Sequence, residues 1–475
     1  MIRVRFAPSP TGFLHVGGLR TALYNYLLAR RHGGKFLLRI EDTDRSRLEP
    51  AAVPNILENL RWAGIYPDEG VGCEPEGDHG PYVQSERLDI YRRYAHQLME
   101  KGLAYRCFAT AEELAAMRAS HGGHGGYDRR YRDLPVTEAE ARKDEPHVIR
   151  MKVPDGETFE IDDLVRGVVR FDSSQVDDQV LVKTDGFPTY HLAAVVDDHE
   201  MEITHVIRGE EWLTSTPKHL LLYRFFGWQP PRFAHLSLVV NAQGKKLSKR
   251  DGDVSVDAYR EQGYLPAGLI NFLALLGWSN GDNRELWSLE DMEKVFALER
   301  VQSSPAVFDF DKLRHINQQH LFAMDEASIA ELLPPWFEKA AVAMPERAYL
   351  ERVVALMKQR CTLLGDFVEQ ARYFYLDPES YDEATVKKRW KAESAELVRT
   401  YQGRLEGLPE WQSAPLETAL RQLCEEQGVG AAALIHPVRL ALSGVGGGPG
   451  LFELMEVLGR EVCGRRLQQA SARLK

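Results

Sequence analysis

Apolar and polar residues near the start of the chain change from a strand pattern to a helix pattern and back within forty residues. Residues 3–7 are rich in β-forming side chains, and a turn with two prolines and a glycine follows them. In residues 19–31 apolar positions recur at helical spacing, and the glycines at 33–34 predict the end of this helix. Residues 35–40 predict a second strand. This order is a βαβ unit, which implies a parallel sheet with a right-handed crossover.

The pattern further along the chain predicts strands at residues 190–196 and 205–208 and a helix at 216–226. The uncharged stretch 262–281 falls short of the ~20 apolar residues that a membrane span needs, so we expect a buried core helix there. Beyond residue 286 the chain is mostly helical in pattern. Segments rich in Pro or Gly interrupt it at residues 334–335, 377–378 and 444–450.

Composition and charge narrow the class of protein. The 475 residues can form two to four domains, and 44% hydrophobic with 27% charged residues excludes a disordered chain or a coiled-coil rod. The net charge of −11 argues at first against a nucleic-acid partner, but residues 1–50 and 201–250 each carry +5. Together in space, these blocks could form an anion-binding site. The five cysteines form no CxxC pair and no signal peptide is visible, so we expect a cytoplasmic protein without disulfides.

The first candidate site lies between the first predicted strand and the first predicted helix. Residues 6–12 read FAPSPTG, and His15, Val16, Gly17 and Gly18 follow. A parallel sheet opens its ligand crevice at this point, and free N–H groups at a helix start suit a phosphate. Gly17 and Gly18 let a ligand approach the backbone, and His15 can donate to a phosphate oxygen. The alternative is an ordinary glycine turn with a surface histidine.

The second candidate site is a cationic loop at residues 245–250, KKLSKR, which glycines flank on both sides. Four cations in six residues can close over a polyphosphate and neutralise charge that develops in a transition state. The alternative is a solvated basic loop, which is the more common origin of a short Lys/Arg run.

Together the two sites resemble the signature pair of class I aminoacyl-tRNA synthetases. Other strings narrow the resemblance to bacterial glutamyl-tRNA synthetases: RIEDTDR at residues 39–45, PTY at 188–190, VVDDH at 195–199 and IRGEEW at 207–212. The resemblance covers essentially the whole chain. It implies an α/β fold with a Rossmann-like parallel-sheet catalytic domain, an inserted α+β acceptor-binding domain and all-α anticodon-binding domains.

The resemblance divides the chain into six segments. The expected segments are the first half of the catalytic domain (1–107), the inserted acceptor-end-binding domain (108–188), the second half of the catalytic domain (189–240), a stem-contact domain with the KLSKR loop (241–322), and two helical anticodon-binding domains (323–375 and 376–475). The sequence pattern also changes near residue 107, where short β-type runs and a Gly/His-rich loop begin, and this change indicates an insertion.

A glutamate pocket needs at least two cations and one anion, because glutamate carries two carboxylates and one ammonium. Arg5, Glu41 and Arg208 each end a predicted strand and could converge, and arginine can bind a carboxylate as a bidentate fork. The resemblance implies that Arg5 takes the side-chain carboxylate and Glu41 the α-ammonium. Arg208 and Tyr190 then hold the carboxylates in register. The resemblance adds two residues lining the pocket, Ala7 and Ser9.

Two departures from the family pattern change the expectations. Some relatives carry an amide four residues after the tyrosine; here the position is Ala194, so one pocket hydrogen bond is expected to be absent. Other bacterial relatives hold zinc in the inserted domain with a Cys-x-Cys pair and a later Tyr and Cys. Here Cys107 is a single thiol, so we predict no structural zinc. We expect His121 and His124 to belong to a polar loop.

The resemblance implies a reaction of two steps, in which glutamate and ATP form glutamyl-adenylate and tRNA(Glu) then takes the glutamyl group. The adenylate forms only when tRNA is bound. His15, Lys246 and Lys249 are the expected phosphate contacts. The expected ATP-binding residues are Gly17, Gly18, Glu211, Trp212, Lys246, Ser248 and Lys249. Mg²⁺ accompanies ATP, held largely by phosphate and water. The expected protein is a monomer with no membrane partner.

The helical C-terminal part is expected to bind the anticodon. Residues 351–475 carry no net charge, so binding there needs local arginines and shape rather than bulk charge. By resemblance, the anticodon-side residues are Arg360, Arg439, Pro449 and Leu451.

Four alternative identities are each disfavoured by a feature of the sequence. A glutaminyl-tRNA synthetase would carry C-terminal β-barrels, which the helical pattern argues against. A truncated paralogue that glutamylates a modified base would lack the C-terminal half. A catalytically inactive RNA-binding relative is disfavoured by His15, Lys246 and Lys249. A Rossmann-type oxidoreductase is disfavoured because no GxGxxG follows the first strand.

Overall fold

The computed structural model describes residues 1–120, 127–247 and 254–474. Four residues with expected roles, His121, His124, Ser248 and Lys249, lie outside this described part. The chain divides into two compact units. Unit 1 comprises Met1–Arg260 with Leu269–Phe310, and unit 2 comprises Glu261–Gly268 with Asp311–Lys475.

The strands of the described residues are short. They are β1 (Arg3–Phe6), β2 (Lys35–Leu38), β3 (Glu69–Gly70), β4 (Ala104–Cys107), β5 (Val148–Met151), β6 (Thr158–Asp163), β7 (Gly167–Asp172), β8 (Val180–Val182), β9 (His205–Gly209), β10 (Arg232–Leu236), β11 (Val239–Val240) and β12 (Ala306–Val307).

The helices up to residue 323 are α1 (Val16–Arg31), α2 (Ala52–Trp62), α3 (Leu88–Glu100), α4 (Ala111–Ser120), α5 (Val136–Ala141), α6 (Tyr190–Glu200), α7 (Thr216–Phe226), α8 (Val256–Gln262), α9 (Pro266–Leu275), α10 (Leu289–Val295) and α11 (Phe310–Ala323). Short 3₁₀ helices lie at Arg45–Arg47, Gln84–Arg87, Ser173–Gln175, Glu210–Ser215 and Leu298–Arg300.

The remaining helices belong to unit 2. They are α12 (Glu326–Leu332), α13 (Pro334–Lys339), α14 (Arg347–Met357), α15 (Asp366–Glu369), α16 (Arg372–Tyr375), α17 (Glu383–Arg389), α18 (Ser394–Glu406), α19 (Ser413–Glu426), α20 (Ala432–Ser443), α21 (Leu451–Leu458) and α22 (Arg460–Arg473).

The predicted βαβ unit is present at the start of unit 1. Strands β1 and β2 pair in parallel, with Arg3 opposite Lys35 and Phe6 opposite Leu38, and β3 adds a third parallel strand. All four residues of β1 are buried, because α1 packs on the sheet. The helix begins three residues earlier than predicted, since His15 caps its N-terminus.

A second parallel pair lies next to β1. Strands β9 and β10 run parallel, and β10 also pairs with β6 through Phe233 and Asp163. Thr204, just before β9, donates its backbone N–H to the Arg3 carbonyl at 2.9 Å, so β9 begins beside β1. The carboxyl ends of β1 and β9 therefore position side chains for one crevice, as expected for parallel strands.

The predicted strand at residues 190–196 is wrong, because these residues begin helix α6. The run of Ala and Val gives no helical period, since every residue from Leu192 to Asp198 is buried. A helix covered on all sides shows neither an amphipathic stripe nor strand alternation. The correction matters for the site, because helical spacing places Tyr190, Ala194 and Asp198 on one face.

The single core helix expected over residues 262–281 is also wrong in extent. Helix α9 covers only Pro266–Leu275 of this stretch. Gly263 before it has φ +93° and Gly277 after it has φ +104°, a conformation that interrupts a helix on either side. No helix in the described part of the chain is both long enough and apolar enough to cross a membrane.

Unit 2 is helical throughout its described residues after 311, as the sequence pattern predicts. A single apolar core joins its helices, with Leu350, Val398 and Leu420 fully buried in it. The predicted glycine-rich break at 444–450 separates α20 from α21. Gly444 ends α20 with φ +77°, the left-handed conformation that glycine adopts most readily.

Candidate active site

The start of α1 has the geometry expected of an anion site. His15 is the N-cap residue, and its Nδ1 accepts a hydrogen bond of 3.0 Å from the Gly18 N–H. A Cβ at Gly17 would lie 3.2 Å from the imidazole ring, so glycine lets the ring fold over the helix start. Because Nδ1 accepts, the proton of the neutral ring is on Nε2, where it can be donated. Crowding by protein atoms, and then the Lys246 cation, lower the pKa of His15.

The backbone is anchored within the cationic loop and just after it. Within the loop, the Leu247 N–H donates to the Val239 carbonyl at 3.0 Å. After the loop, the Val254 carbonyl accepts from the N–H of Val16, the first residue of α1, at 2.9 Å. The backbone thus ties this segment to the His15 turn, as the charge pattern suggested. Lys246 is exposed and lies close enough to act on the His15 ring.

Glu211 and Trp212 lie in the 3₁₀ helix that follows β9. Both side chains are exposed, and the Glu211 carboxylate raises the pKa of His15, which places it near the start of α1. The Trp212 ring lies 4.3 Å from the Tyr190 ring, centroid to centroid. Glu211 therefore borders the His15 turn, and Trp212 borders the predicted glutamate pocket.

Arg5 and Glu41 meet in a buried cluster of charges. Arg5 donates to both carboxylate oxygens of Asp198, from Nε at 3.0 Å and from Nη2 at 3.3 Å. Arg39 donates from Nη2 to Asp198 at 2.9 Å and to Glu41 at 3.2 Å. Nη1 of Arg5 has no hydrogen-bond partner among the described residues. One guanidinium edge and one oxygen of Glu41 remain for a ligand.

Burial governs the charge of Glu41. It raises the pKa of this carboxyl, although Arg39 and then Arg5 oppose the effect. Burial also raises the pKa of Tyr190, with Arg208, Glu41 and Arg5 all acting on its hydroxyl. The structure thus brings together Arg5, Glu41, Tyr190 and Arg208, four of the residues predicted for the glutamate pocket.

A second buried aspartate, Asp197, lies next to Asp198 on α6 and helps to hold this cluster in place. Asp197 accepts from Arg87 at 2.7 Å, from Gln84 at 2.9 Å and from the Tyr91 hydroxyl at 2.9 Å. All four side chains are almost fully buried. Asp197 thus anchors α6 to the segment around α3, and its neighbour Asp198 is held in place to receive the two arginines.

Arg208 is bound differently from Arg5. Its side chain is buried, yet no carboxylate in the described part of the chain pairs with it. Its contacts are His235 Nε2 at 3.0 Å, the Tyr190 hydroxyl at 2.8 Å, His219 Nδ1 at 3.3 Å, Thr216 Oγ1 at 2.9 Å and the Trp212 carbonyl at 3.3 Å. Every one of these acceptors is neutral, so the site holds a buried cation without a counter-ion.

Sequence reasoning missed the histidines around Arg208. Burial, and then the Arg208 charge, hold the pKa of His219 well below its usual range. Burial lowers the pKa of His191 to about 3, and its Nδ1 lies 3.2 Å from His219 Nε2. Burial also lowers the pKa of His235, against the effect of Asp163. Asp198 was missed as well, although the adjacent acids in VVDDH were a visible signal.

The remaining pocket residues lie along the strand ends and α6. Ala7 is half-buried and Ser9 is exposed in the turn after β1. The N–H of Glu41 donates to the Pro8 carbonyl at 3.1 Å, which fixes this turn against the end of β2. Ala194 is buried one helical turn after Tyr190 and offers no polar side chain to the pocket.

The region where some relatives bind zinc has a different arrangement here. The Cys107 thiol lies 3.1 Å from the Tyr127 hydroxyl, and both side chains are buried. Over residues 1–120, 127–247 and 254–474, no group of three His, Cys, Asp or Glu side chains could hold a metal ion. The absence of structural zinc stays a prediction.

In unit 2, Arg360 and Arg439 lie close enough that the Arg360 charge acts on Arg439. Nη1 of Arg439 is buried and finds no hydrogen-bond partner among the residues that the structure describes, and a Cβ at Gly448 would lie 3.1 Å from it. Pro449 is buried, and Leu451 is 4% exposed and packs in the core. A contact of Leu451 with RNA would therefore involve its backbone rather than its side chain.

Comparisons with known proteins identify the family. A family model described as tRNA synthetases class I (E and Q), catalytic domain, matches residues 1–315, and an anticodon binding domain model matches residues 328–471. A glutamate–tRNA ligase of Chloroherpeton thalassium is 52% identical over 100% of this chain and 98% of its own length. One from Chlorobium phaeobacteroides is 48% identical over 98% of this chain and 97% of its own.

Solved structures give the same result. The crystal structure of a glutamate tRNA ligase from Elizabethkingia meningosepticum, in complex with its amino acid, matches with a TM-score of 0.93 and 40% identity over 100% of both chains. The glutamate-tRNA synthetase of Elizabethkingia anophelis matches with a TM-score of 0.90 and 39% identity over 99% of both chains. The chain therefore belongs to the glutamate–tRNA ligase family of class I aminoacyl-tRNA synthetases.

Proposed function

We propose that the chain uses ATP to ligate L-glutamate to the 3′ end of tRNA(Glu) in protein synthesis, through a glutamyl-adenylate, with release of AMP and pyrophosphate. Full-length relatives named glutamate–tRNA ligase support this activity. So does the solved relative that was crystallised with its amino acid.

The arrangement of charge around Asp198 carries the proposal. Arg5 has a free Nη1 that can bind the side-chain carboxylate of glutamate, and Glu41 has one oxygen without an arginine partner for the α-ammonium. Tyr190 lies between these charges and the Arg208 cation. Charges of both signs are thus present at one buried site, as glutamate requires. Ala7 and Ser9 complete the walls.

The reaction follows from positioning rather than from a covalent enzyme nucleophile. In the first step the α-carboxylate of glutamate attacks the α-phosphorus of ATP, and the bond to pyrophosphate breaks. In the second step the terminal ribose hydroxyl of tRNA attacks the acyl carbon, and AMP leaves. Both steps gain from orientation and from charge stabilisation in a water-poor site.

The phosphate contacts come from the two basic segments. His15 donates from Nε2 at the helix start, and the cations Lys246 and Lys249 stabilise the charge on the departing pyrophosphate. Gly17 and Gly18 allow the nucleotide to approach the backbone, Ser248 adds a hydroxyl, and Glu211 with Trp212 borders the adenosine. Mg²⁺ would accompany ATP, held largely by phosphate and water.

The partners follow from the family. The six-segment division stays a proposal, in which the segment 108–188 receives the acceptor end of tRNA and the helical unit binds the anticodon through Arg360, Arg439, Pro449 and Leu451. A cytoplasmic monomer is proposed on the same grounds. Metal analysis of the purified protein tests the zinc prediction, and a stoichiometric amount of zinc would contradict it.

An exchange assay tests the proposal directly. Labelled pyrophosphate is exchanged into ATP with glutamate or glutamine as the amino acid, with and without tRNA(Glu). We expect exchange with glutamate only when tRNA is present, and charging of the tRNA with labelled glutamate. No exchange in the presence of tRNA would refute the activity, and exchange with glutamine alone would favour a glutaminyl-tRNA synthetase.

A further inference from the structure

Arg208 has no N–H left for a ligand. A guanidinium has five N–H groups, and five protein acceptors lie within hydrogen-bond distance of Arg208. Nε donates to His235, and the terminal nitrogens donate to Tyr190, His219, Thr216 and the Trp212 carbonyl. The cation is therefore fixed on all sides, whereas Arg5 keeps one nitrogen free.

These contacts determine the tautomers of two histidines. An arginine can only donate, so His235 Nε2 must accept, and its proton is on Nδ1. Nδ1 in turn lies 2.6 Å from Oδ2 of Asp163, which accepts that proton. His219 Nδ1 must accept for the same reason, so its Nε2–H donates to His191 Nδ1 at 3.2 Å.

The fixed direction of these bonds also orients Tyr190. The tyrosine oxygen accepts a hydrogen bond of 2.8 Å from Arg208, so its own O–H is left to donate elsewhere. Arg5 and Glu41 act on the same hydroxyl, which places that free O–H at the predicted carboxylate site. A cation behind the tyrosine oxygen also polarises the O–H and makes it a stronger donor.

We propose that His235, held by Asp163, and His219 are positioning residues for glutamate, which fix Arg208 so that the Tyr190 hydroxyl donates to a substrate carboxylate. This inference rests on the proposed function. It refines the expected role of Arg208, which acts through Tyr190 and through its charge and does not itself bind the carboxylate in a bidentate manner. Neutral histidines suit this role, since a protonated ring would repel Arg208 and could no longer accept from it.

A pair of substitutions at His235 tests the role. His235→Leu removes the acceptor of the Arg208 Nε–H, whereas His235→Gln keeps an oxygen that can reach the same position. We expect His235→Leu to raise the KM for glutamate about tenfold or more in aminoacylation, because a charge-assisted hydrogen bond is lost. The KM for ATP should stay within about twofold, and His235→Gln should restore most of the glutamate affinity.

A double variant tests whether the effect passes through Tyr190. If it does, His235→Leu combined with Tyr190→Phe should raise the KM for glutamate no more than Tyr190→Phe does alone. Three results would each overturn the inference. The KM for glutamate could be equal in His235→Leu and His235→Gln. His235→Leu could raise the KM for ATP as much as the KM for glutamate, or its effect could add fully to that of Tyr190→Phe.

The His219 position supplies a second test if His235→Leu does not fold. His219→Asn keeps an acceptor near the place of Nδ1, and His219→Leu removes it, so the same difference in KM is expected between them. The wild-type enzyme separates this inference from the proposed function. If the wild-type enzyme charges tRNA with glutamate but both Leu variants keep the wild-type KM for glutamate, only this inference is contradicted. If the wild-type enzyme does not charge tRNA with glutamate, the proposed function itself is contradicted.

Discussion

Asp198 binds Arg5 with both of its carboxylate oxygens, at 3.0 Å from Nε and 3.3 Å from Nη2. The same carboxylate accepts from Arg39 at 2.9 Å. One buried anion thus holds two guanidinium groups, and it leaves Nη1 of Arg5 as the part that can bind a ligand. Burial alone would raise the pKa of Asp198, but the charges of Arg5 and Arg39, and then their hydrogen bonds, hold it below its usual value.

Asp198→Asn should damage both stability and glutamate binding. It removes the counter-ion of two buried cations, and loss of one partner of a buried pair costs about 3–5 kcal/mol. We expect a fall of this order in the free energy of unfolding, measured with urea, and a rise in the KM for glutamate. The rise should exceed that for ATP, since Arg5 loses the partner that orients it.

Asp89→Asn is the matched control for this prediction. Asp89 forms an exposed ion pair with Arg92 at 3.1 Å, and such pairs contribute about 1 kcal/mol or less. The control should therefore change neither the unfolding free energy nor the KM beyond this range. Equal effects of the two substitutions would show that Asp198 has no special role.

The first unit shows which parts of the fold are visible in the sequence. The β1–α1–β2 order was predicted because each element has its own local pattern, and the His15 and Lys246 segments could be joined by their charge. Helix α6 could not be recognised, because burial on all sides removes the helical period from residues 192–198. The Ala/Val-rich run therefore predicts a strand where the chain forms the helix that supplies Tyr190 and Asp198 to the site.

The sequence predicts the residues of the site better than it predicts the contacts between them. Arg5, Glu41 and Arg208 stand at strand ends, which is a local property. Their partners come from distant segments, such as Asp198 for Arg5 and His235 for Arg208, and only the folded chain brings these together. The neutral acceptors around Arg208 also could not be recognised from the pattern of charged residues along the sequence.

The pKa of Glu41 predicts how glutamate binding depends on pH. Burial raises this pKa above its ordinary value, and the α-ammonium of the substrate needs the ionised carboxylate. As the pH falls toward the raised pKa, protons compete with the substrate, so the KM for glutamate should rise on the acid side. A series of KM measurements between pH 5 and 8 in steps of about half a unit checks this, since a raised carboxyl pKa falls toward this range.

Glu41→Gln is the control for the pH prediction. It cannot ionise, so the KM for glutamate should be high at every pH and the acid-side rise should disappear. Persistence of the full acid-side rise in this variant would assign the titration to another group, such as His15.

Substitutions in the cationic loop should slow the chemical step. Lys249→Ala should lower the rate of adenylate formation about 10²-fold, the typical cost of losing a donor to a transition-state charge. Lys246→Ala should lower it as well. Lys245→Ala removes the same charge from the same segment and should change the rate little. Pyrophosphate exchange with tRNA bound measures all three, and near-normal turnover of Lys249→Ala would contradict its assignment.

Arg439 should affect tRNA binding without stabilising the fold. Its Nη1 is buried with no hydrogen-bond partner in the described part of the chain, and burial lowers its pKa, so the side chain is costly to the free protein. Arg439→Gln should therefore leave the free energy of unfolding unchanged or raise it. The KM for tRNA(Glu) should rise about tenfold, as expected when a charged contact to RNA is lost, while the KM for glutamate stays constant.

Arg421→Gln provides the comparison for Arg439. Arg421 lies on α19, pairs with Glu417 and is largely exposed. Its substitution therefore removes one positive charge from the same unit and leaves Arg439 and Arg360 in place. It should leave the KM for tRNA within about twofold, because a single exposed charge is screened by salt. If the two variants raised this KM equally, unit 2 would bind tRNA through overall charge. A larger effect at Arg439 means that the buried nitrogen is held in place for an RNA acceptor.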